Sequence, residues 1–384
     1  MEQIEIKHCS EDDVATLRQF IDRYWRHGHI LARDAALLLW QFDHSRSKTG
    51  MFNGPSILLA WRGDRIVGML GLIYFDFNLR GILIPGVWLS HWYTIPELRA
   101  HGVGLKLLWA VHDLGYDAIF VLGINDTARK VYSVLGFELL KSMPRWIGVF
   151  DVGKTARLLE GVNQVTDVKK VDDICGHYRI DMGSKASESS NVRVVDWSAS
   201  FAPAWDSFWT RELAPTLISP GKDSAYLKWR YVDHPTFKYE LRLALNAGTR
   251  DVLGLAVFRV EKVRDRDERI LRVLEFLTTP EAESTLALSF IRAAQSHNTI
   301  FADFYCTSER AARALEIVGF KRHATGENET DFPGRFQPME AGHSEISGAF
   351  WLSNSLRRKL GPAQLLASNA FYVTKSDGDQ DRPN

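Results

Sequence analysis

The sequence predicts a mixed-sheet α/β fold built twice in tandem, with the second copy degenerate, and three observations carry that expectation. The first is a strand, Gly-rich turn and helix near the end of the first third: an aromatic β-rich run at 87–93, a turn holding Gly102 and Gly104, and an apolar run of helical period at 106–114. That order aims a row of backbone N–H groups and a helix N-terminus at a bound phosphate, and the two glycines let the ligand approach the main chain. The second is a set of landmarks recurring at a slowly drifting offset. Ile4, Ile6 and Ser10 return as Val192, Val194 and Ser198; Trp40 as Trp229; Gly68 as Gly254; Asn125, Ala128, Tyr132, Gly136 and Phe137 as Ser308, Ala311, Leu315, Gly319 and Phe320. The third is that the copies are unequal. Where the first has Arg99, Gly102 and Gly104, residues 280–287 have no glycine and two carboxylates, so a phosphate there would meet Cβ atoms and like charge.

Taken in order, residues 3–7 alternate as a strand, and Ser10 with Asp13 forms a capping signal for a helix whose stripe is Val14, Leu17, Phe20, Ile21 and Tyr24. A second helix follows Asp34. Residues 56–61 and 65–77 read as strands joined by a hairpin at 62–64, and 82–93 is a third strand interrupted near Pro85 and Gly86. A buried strand at 118–124 follows the 106–114 helix. The first domain is expected over 1–152, a linker over 153–190 and the second domain over 191–384. Within the linker a short helix spans 154–160, a charged stretch 167–173, and a flexible polar run 183–190. Residues 371–381 read as a strand ending in three alternating acids, expected as a solvated tail; an EF-hand loop would need a following glutamate that is missing.

Composition narrows the function classes. Lys+Arg and Asp+Glu each number 47, so no overall field points to nucleic acid or an anionic membrane as partner, and any anion must be met locally. The three cysteines, Cys9, Cys175 and Cys306, are widely spaced with no C-x-x-C, which argues against a disulfide framework or a zinc site. Without a leader-like start or an apolar run long enough to span a membrane, the expected location is the cytoplasm.

The pair of patterns R-x-x-G-x-G at 99–104 and N-x-x-A-x-x-x-Y-x-x-x-G-F at 125–137 resembles the GNAT superfamily of acyl-CoA-dependent N-acyltransferases. The resemblance implies that Arg99, Ala100, His101, Gly102, Val103, Gly104 and Leu105 cradle the coenzyme A pyrophosphate, with Asn125 beside them. It also implies that main-chain groups at Tyr93 and Thr94 hold the pantetheine, and that Tyr132 protonates the departing thiolate; no metal is required. The family's general base would fall at Trp88 or Ser90, neither of which is an acid or a histidine. Ser90 and His91 remain candidate catalytic residues, although strand alternation predicts that they point to opposite faces. Asp76 and His234 are alternative bases brought from elsewhere.

A missing base says something about the acceptor. A lysine amine at pKa ~10.4 costs about 4.6 kcal/mol to deprotonate at pH 7, whereas an amine near ~8 costs about 1.4 kcal/mol, and an amino group on a sugar ring belongs to the second kind. A narrower resemblance agrees. The run 225–235, the tandem arrangement with one intact loop, and the acidic ending look like the tandem GNAT acyltransferases of surface-polysaccharide biosynthesis, which act on nucleotide-linked amino sugars. The expectation is transfer of an acetyl or short hydroxyacyl group to a dTDP-amino-dideoxyhexose, with Tyr226, Trp229, Arg230 and Tyr231 as acceptor-binding residues. Alternatives are acylation of a thiol-cofactor precursor or peptide amine, and a non-catalytic acyl-CoA-binding module.

Overall fold

The computed structural model describes residues 3–47, 50, 52–163, 168–181, 187–263, 265–323, 332–334, 345–360 and 364–383. Their strands are β1 (Ile4–His8), β2 (Ile57–Arg62), β3 (Arg65–Leu79), β4 (Ile82–Thr94), β5 (Ala118–Leu122), β6 (Glu138–Leu140), β7 (Arg145–Val149), β8 (Val192–Asp196), β9 (Ile218–Pro220), β10 (Glu240–Asn246), β11 (Val252–Lys262), β12 (Arg269–Thr278), β13 (Thr299–Tyr305), β14 (Lys321–His323) and β15 (Gly348–Leu352). The helices include α1 (Val14–Phe20), α2 (Ile30–Arg33), α3 (Ala35–Gln41), α4 (Val103–Asp113), α5 (Asp126–Val134), α6 (Val152–Asn163), α7 (Val168–His177), α8 (Ala202–Phe208), α9 (Ser224–Leu227), α10 (Glu283–Ser296), α11 (Glu309–Glu316) and α12 (Asn354–Leu360).

Local chemistry explains the boundaries. The Asp34 carboxylate accepts from Leu37 N–H at 2.9 Å and caps α3, while the Ser10 N–H and hydroxyl both donate to the Asp13 carboxylate ahead of α1. Gly63, at φ +61°, makes the two-residue turn that sets Arg62 opposite Arg65 between β2 and β3. β3 is almost continuously buried, as a strand covered on both faces must be.

Two mixed sheets result. The first runs β1-β2-β3-β4-β5-β15-β6 and the second β14-β7-β13-β12-β11-β10-β8, the same order read in opposite directions. In each, one parallel pair interrupts an antiparallel series: β4 with β5, and β12 with β13. The two positions between the last long strand and the short edge strand are exchanged. β7, from the first half, lies between β13 and β14, while β15, from the second half, lies between β5 and β6. The boundary expected at 152 therefore cuts behind a strand that already belongs to the second sheet. Both exchanged strands are short and largely buried; β15 is apolar throughout and reads the same whichever sheet takes it, whereas β7 carries a buried Arg145 whose guanidinium pairs with Asp303 of β13 at 2.7 Å.

Two further expectations are corrected. The segment 153–190 is not mainly a connector: α6 and α7 pack Leu158, Leu159, Val171 and Cys175 against Ile147, Ile270 and Phe301 of the second sheet. Of the polar run, residues 183–186 lie outside the described residues. The C-terminal segment is neither a strand nor solvated. From Phe371 to Asp381 it is buried, joins the sheets only by isolated bridges from Phe371 to Ile218 and from Thr374 to Cys306, and passes between the two halves.

Candidate active site

β4 and β5 pair from Gly86 to Leu89 against Ala118 to Val121, then separate as β4 runs on to Thr94. The opening is a cleft of about 170 Å³ lined by residues that include Ser90, His91, Trp92, Asn125, Tyr132 and Asp379. At its centre β4 bulges: two residues, His91 and Trp92, stand opposite Leu70, and His91 takes a left-handed backbone at φ +56°. That conformation costs a non-glycine residue about 1–3 kcal/mol. It also cancels the alternation expected of a strand. Ser90 and His91 face the same way, with the Ser90 hydroxyl hydrogen-bonded to His91 Nδ1.

The third member of the group comes from the far end of the sequence. Asp379 Oδ2 accepts from the Ser90 hydroxyl at 2.8 Å, lies 3.5 Å from His91 Nδ1, and accepts from Arg382 Nη1 at 2.6 Å; its other oxygen accepts from Gln380 Nε2 at 2.5 Å. Arg382 Nη1 also approaches His91 Nε2 at 2.9 Å. Because a guanidinium can only donate, Nε2 is the acceptor and the neutral ring carries its proton on Nδ1, facing Ser90. Burial, then the Arg382 charge, holds His91 well below its ordinary value, so the ring stays neutral. Trp25 meets His91 edge to face at 4.5 Å and stacks on His29, which burial brings down to about 3.

The Gly-rich turn builds the other end of the cleft. A 3₁₀ turn, Pro96–His101, leads into Gly102 at φ +72°, where a Cβ would meet open space but the backbone favours glycine, and α4 starts at Val103. The first bond into α4 is donated by Lys106 to Gly102, so the N–H groups of Val103, Gly104 and Leu105 have no carbonyl of their own turn. This arrangement fits the phosphates of coenzyme A. Gly104 has a second reason to lack a side chain, since a Cβ there would come within 3.1 Å of the Trp92 indole. Ala100 and His101 are exposed, and Arg99 folds back to donate to the Thr94 carbonyl at 3.1 Å with its guanidinium 5.5 Å from the Tyr93 ring. Asn125 lines the cleft and caps α5, accepting from Ala128 N–H at 2.9 Å. Tyr132 is buried between Trp92 and Phe137, and burial raises its phenol, which therefore keeps its proton to donate.

The residues expected at the acceptor are engaged otherwise. Arg230 is buried, with Nε on the Ser376 carbonyl at 2.7 Å and Nη2 on the Asp381 carbonyl at 2.9 Å. Tyr226 binds Lys222 and Asp377, and Tyr231 binds Glu275 and Ser376. All three fasten the C-terminal segment, because a buried guanidinium or phenol must satisfy its donors inside the protein. Trp229 stacks on Trp40 at 5.3 Å, and each indole N–H donates to the other's carbonyl, at 3.1 and 3.2 Å. His234 is also spent: its Nδ1 accepts from Thr236 and Phe237 N–H, and burial lowers it to about 3. Asp76 is half-buried on β3 and its carbonyl accepts from Gly221 N–H at 2.6 Å. Asp379 and Arg382 escaped the sequence reading; the alternating acids were the available signal.

Among the described residues no group of three or more His, Cys, Asp or Glu is arranged to hold a metal, and no helix is long and apolar enough to cross a membrane. Residues 15–137 match the acetyltransferase (GNAT) family model. No curated protein matches the sequence. The fold is similar to a GCN5-related N-acetyltransferase from Anabaena variabilis, at 11% identity and TM-score 0.55, covering 92% of this chain and 74% of that one. It is also similar to a GCN5-related N-acetyltransferase from Kribbella flavida, at 15% identity and TM-score 0.52, covering 92% and 72%. A third similar structure is Saccharomyces cerevisiae N-myristoyltransferase with bound myristoyl-CoA and inhibitors, at 9% identity and TM-score 0.53, covering 92% and 80%.

Proposed function

We propose that this acyl-CoA-dependent N-acyltransferase acylates the amine of a nucleotide-linked amino sugar, with Asp379 as the general base. Acyl-CoA-dependent N-acyl transfer is the activity of the family whose model covers 15–137. The observation that carries the finer reading is the Asp379 carboxylate resting on the Ser90 hydroxyl. Strand β4 has serine where a catalytic acid would sit, and the C-terminal segment delivers a carboxylate to that spot. His91 is ill suited to replace it, since burial and the Arg382 charge make its ring hard to protonate and Arg382 occupies its acceptor nitrogen.

When bound, acyl-CoA supplies an activated thioester carbonyl. The protein's part is to orient it and move protons. Backbone N–H groups at the start of α4 hold the phosphates, and main-chain groups near Tyr93 and Thr94 polarise the carbonyl. Asp379 accepts the proton that the attacking nitrogen loses, either directly or through the Ser90 hydroxyl, with Arg382 and His91 fixing its orientation. Tyr132, held neutral by burial, donates a proton to the leaving sulfur. A carboxylate is a weak base, which suits an amine that is already substantially neutral near pH 7, as a ring amino group on a sugar is.

The test is thiol release from several acyl-CoAs in the presence of a panel of acceptors: dTDP-linked and UDP-linked amino sugars, a peptide with a free N-terminal amine, and a thiol-cofactor precursor amine. Release that depends on an amino-sugar nucleotide supports the proposal. Release with the peptide or precursor alone overturns the acceptor, and no acceptor-dependent release with any of them overturns the enzyme reading in favour of a binding module.

A further inference from the structure

The second sheet keeps its own opening between β12 and β13, and only its inner part is filled. Thr374 to Asp377 of the C-terminal segment lie there, where the Thr374 and Ser376 hydroxyls contact one another at 2.8 Å. Outside this plug an apolar slot of about 180 Å³ remains, bounded by the end of β12, α11 and Tyr372. At ~30 Å³ per water that is room for roughly six waters, enough for one heterocycle. Through Thr216, Glu283 and Arg310, which line both, the slot opens into a basin of about 1140 Å³. Four guanidiniums, those of Arg80, Arg310, Arg313 and Arg322, and two carboxylates, those of Glu283 and Glu309, face the basin.

Two of the four guanidiniums answer to a carboxylate and two do not. Arg322 pairs with Glu309 at 2.7 Å, and Arg310 lies near enough to Glu283 to counter the upward push of burial on that carboxyl. Arg80 and Arg313 form no ion pair among the described residues, and both side chains are exposed. In a chain of net charge zero, such a concentration on one wall is a local device. It is also displaced relative to the first cleft. There the anion-binding groups stand at the start of α4; here the corresponding turn, Pro280–Ala282, has neither glycine nor arginine, and the cations belong to α11, to β14 and, for Arg80, to the turn between β3 and β4.

We infer that the second cleft is a binding site for a nucleoside diphosphate, with the heterocycle in the slot beside Ala311 and the phosphates among Arg80, Arg310 and Arg313. Planar guanidiniums grip phosphate oxygens in pairs, and an apolar slot opening into a basic basin matches a molecule with one uncharged ring and two adjacent phosphates. The inference goes beyond the acyl-transfer reading and does not depend on it, because occupancy is measured without turnover.

The experiment is calorimetric titration of UDP into the full-length protein already saturated with coenzyme A, so that the first cleft cannot answer. One UDP site is expected, weakened tenfold or more in Arg310→Ala/Arg313→Ala and by Ala311→Trp, with coenzyme A affinity unchanged in both. Circular dichroism and coenzyme A binding establish that the variants are folded. Inorganic pyrophosphate and uridine are run as separate arms. No UDP binding in the presence of coenzyme A overturns the inference, as does UDP binding that ignores all three substitutions. Pyrophosphate binding as tightly as UDP overturns the assignment of the slot to a nucleoside.

Discussion

The two clefts start from one backbone plan and end in opposite chemistry. In each sheet the strand at the opening carries one extra residue relative to its antiparallel neighbour, and the third residue before the paired threonine, Thr94 or Thr278, lies at that irregularity: His91 within the bulge of the first cleft, and Glu275, paired with Val257, next to the extra residue Leu274 in the second. Both meet the same C-terminal segment, His91 through Asp379 and Glu275 through the Lys222 ammonium it shares with Asp377. In the first cleft the segment adds a carboxylate to the wall of an open space. In the second it closes the space, leaving Lys222, Glu275 and Asp377 with no exposure and Tyr226, Tyr231 and Tyr372 completing their hydrogen bonds. Burial alone would lower Lys222, but the two carboxylates outweigh it and hold it charged. Two sheets of similar order can thus differ in role by what fills each opening.

The largest effect should come from unbalancing the filled cleft. Lys222→Met leaves two carboxylates buried without a counter-charge and is expected to cost about 3–5 kcal/mol in urea unfolding. A cost below about 1 kcal/mol would mean that this cleft is wetter than described. Next is Asp379→Asn, which removes the proton acceptor from the open cleft while keeping its shape. Turnover should fall by ~10²–10⁴ with coenzyme A affinity intact, and wild-type turnover would return the base to solvent. Tyr132→Phe should cost turnover at the lower end of that range, again without loss of coenzyme A binding; no change would show that water protonates the thiolate.

Coenzyme A itself distinguishes the clefts. Calorimetry should find one site per chain, and Gly104→Val should remove it, because a branched side chain would collide with Trp92 and crowd the free N–H groups. Two equal sites would erase the distinction drawn between the turns. The smallest effect concerns pH. His29 and His234 are held at about 3 by burial, against an ordinary value of ~6.5. The unfolded chain therefore binds more protons below pH 6.5, and stability should decline as pH falls from 6.5 toward 3. His29→Gln should flatten part of that decline in melting temperature; an unchanged profile would mean that the ring is not held neutral.

Much of this protein was determined by sequence alone. Periodicity and turn residues marked β1 through β5 and the helix after the Gly-rich turn, because these signals depend on neighbours only a few residues apart; landmarks recurring at long range, such as Trp40 and Trp229, accord with the similar strand order of the two sheets. Gly102 and Tyr132 were singled out because a motif spacing is a local fact, and the structure adds that Gly102 has a positive φ and that Tyr132 lines the cleft. Tertiary structure alone decided the rest. The exchange of β7 and β15 was hidden because the apolar β15 fits either sheet, and because the Asp303 carboxylate that receives Arg145 of β7 lies 158 residues further along the chain. The bulge that turns Ser90 and His91 to one side depends on pairing with β3, which no single strand reveals. Arg230 looked like a ligand for phosphate until its donors were found on Ser376 and Asp381. Asp379 looked like part of a solvated tail, because whether a carboxylate faces water or an active site is set by what packs around it, 289 residues away in the case of Ser90.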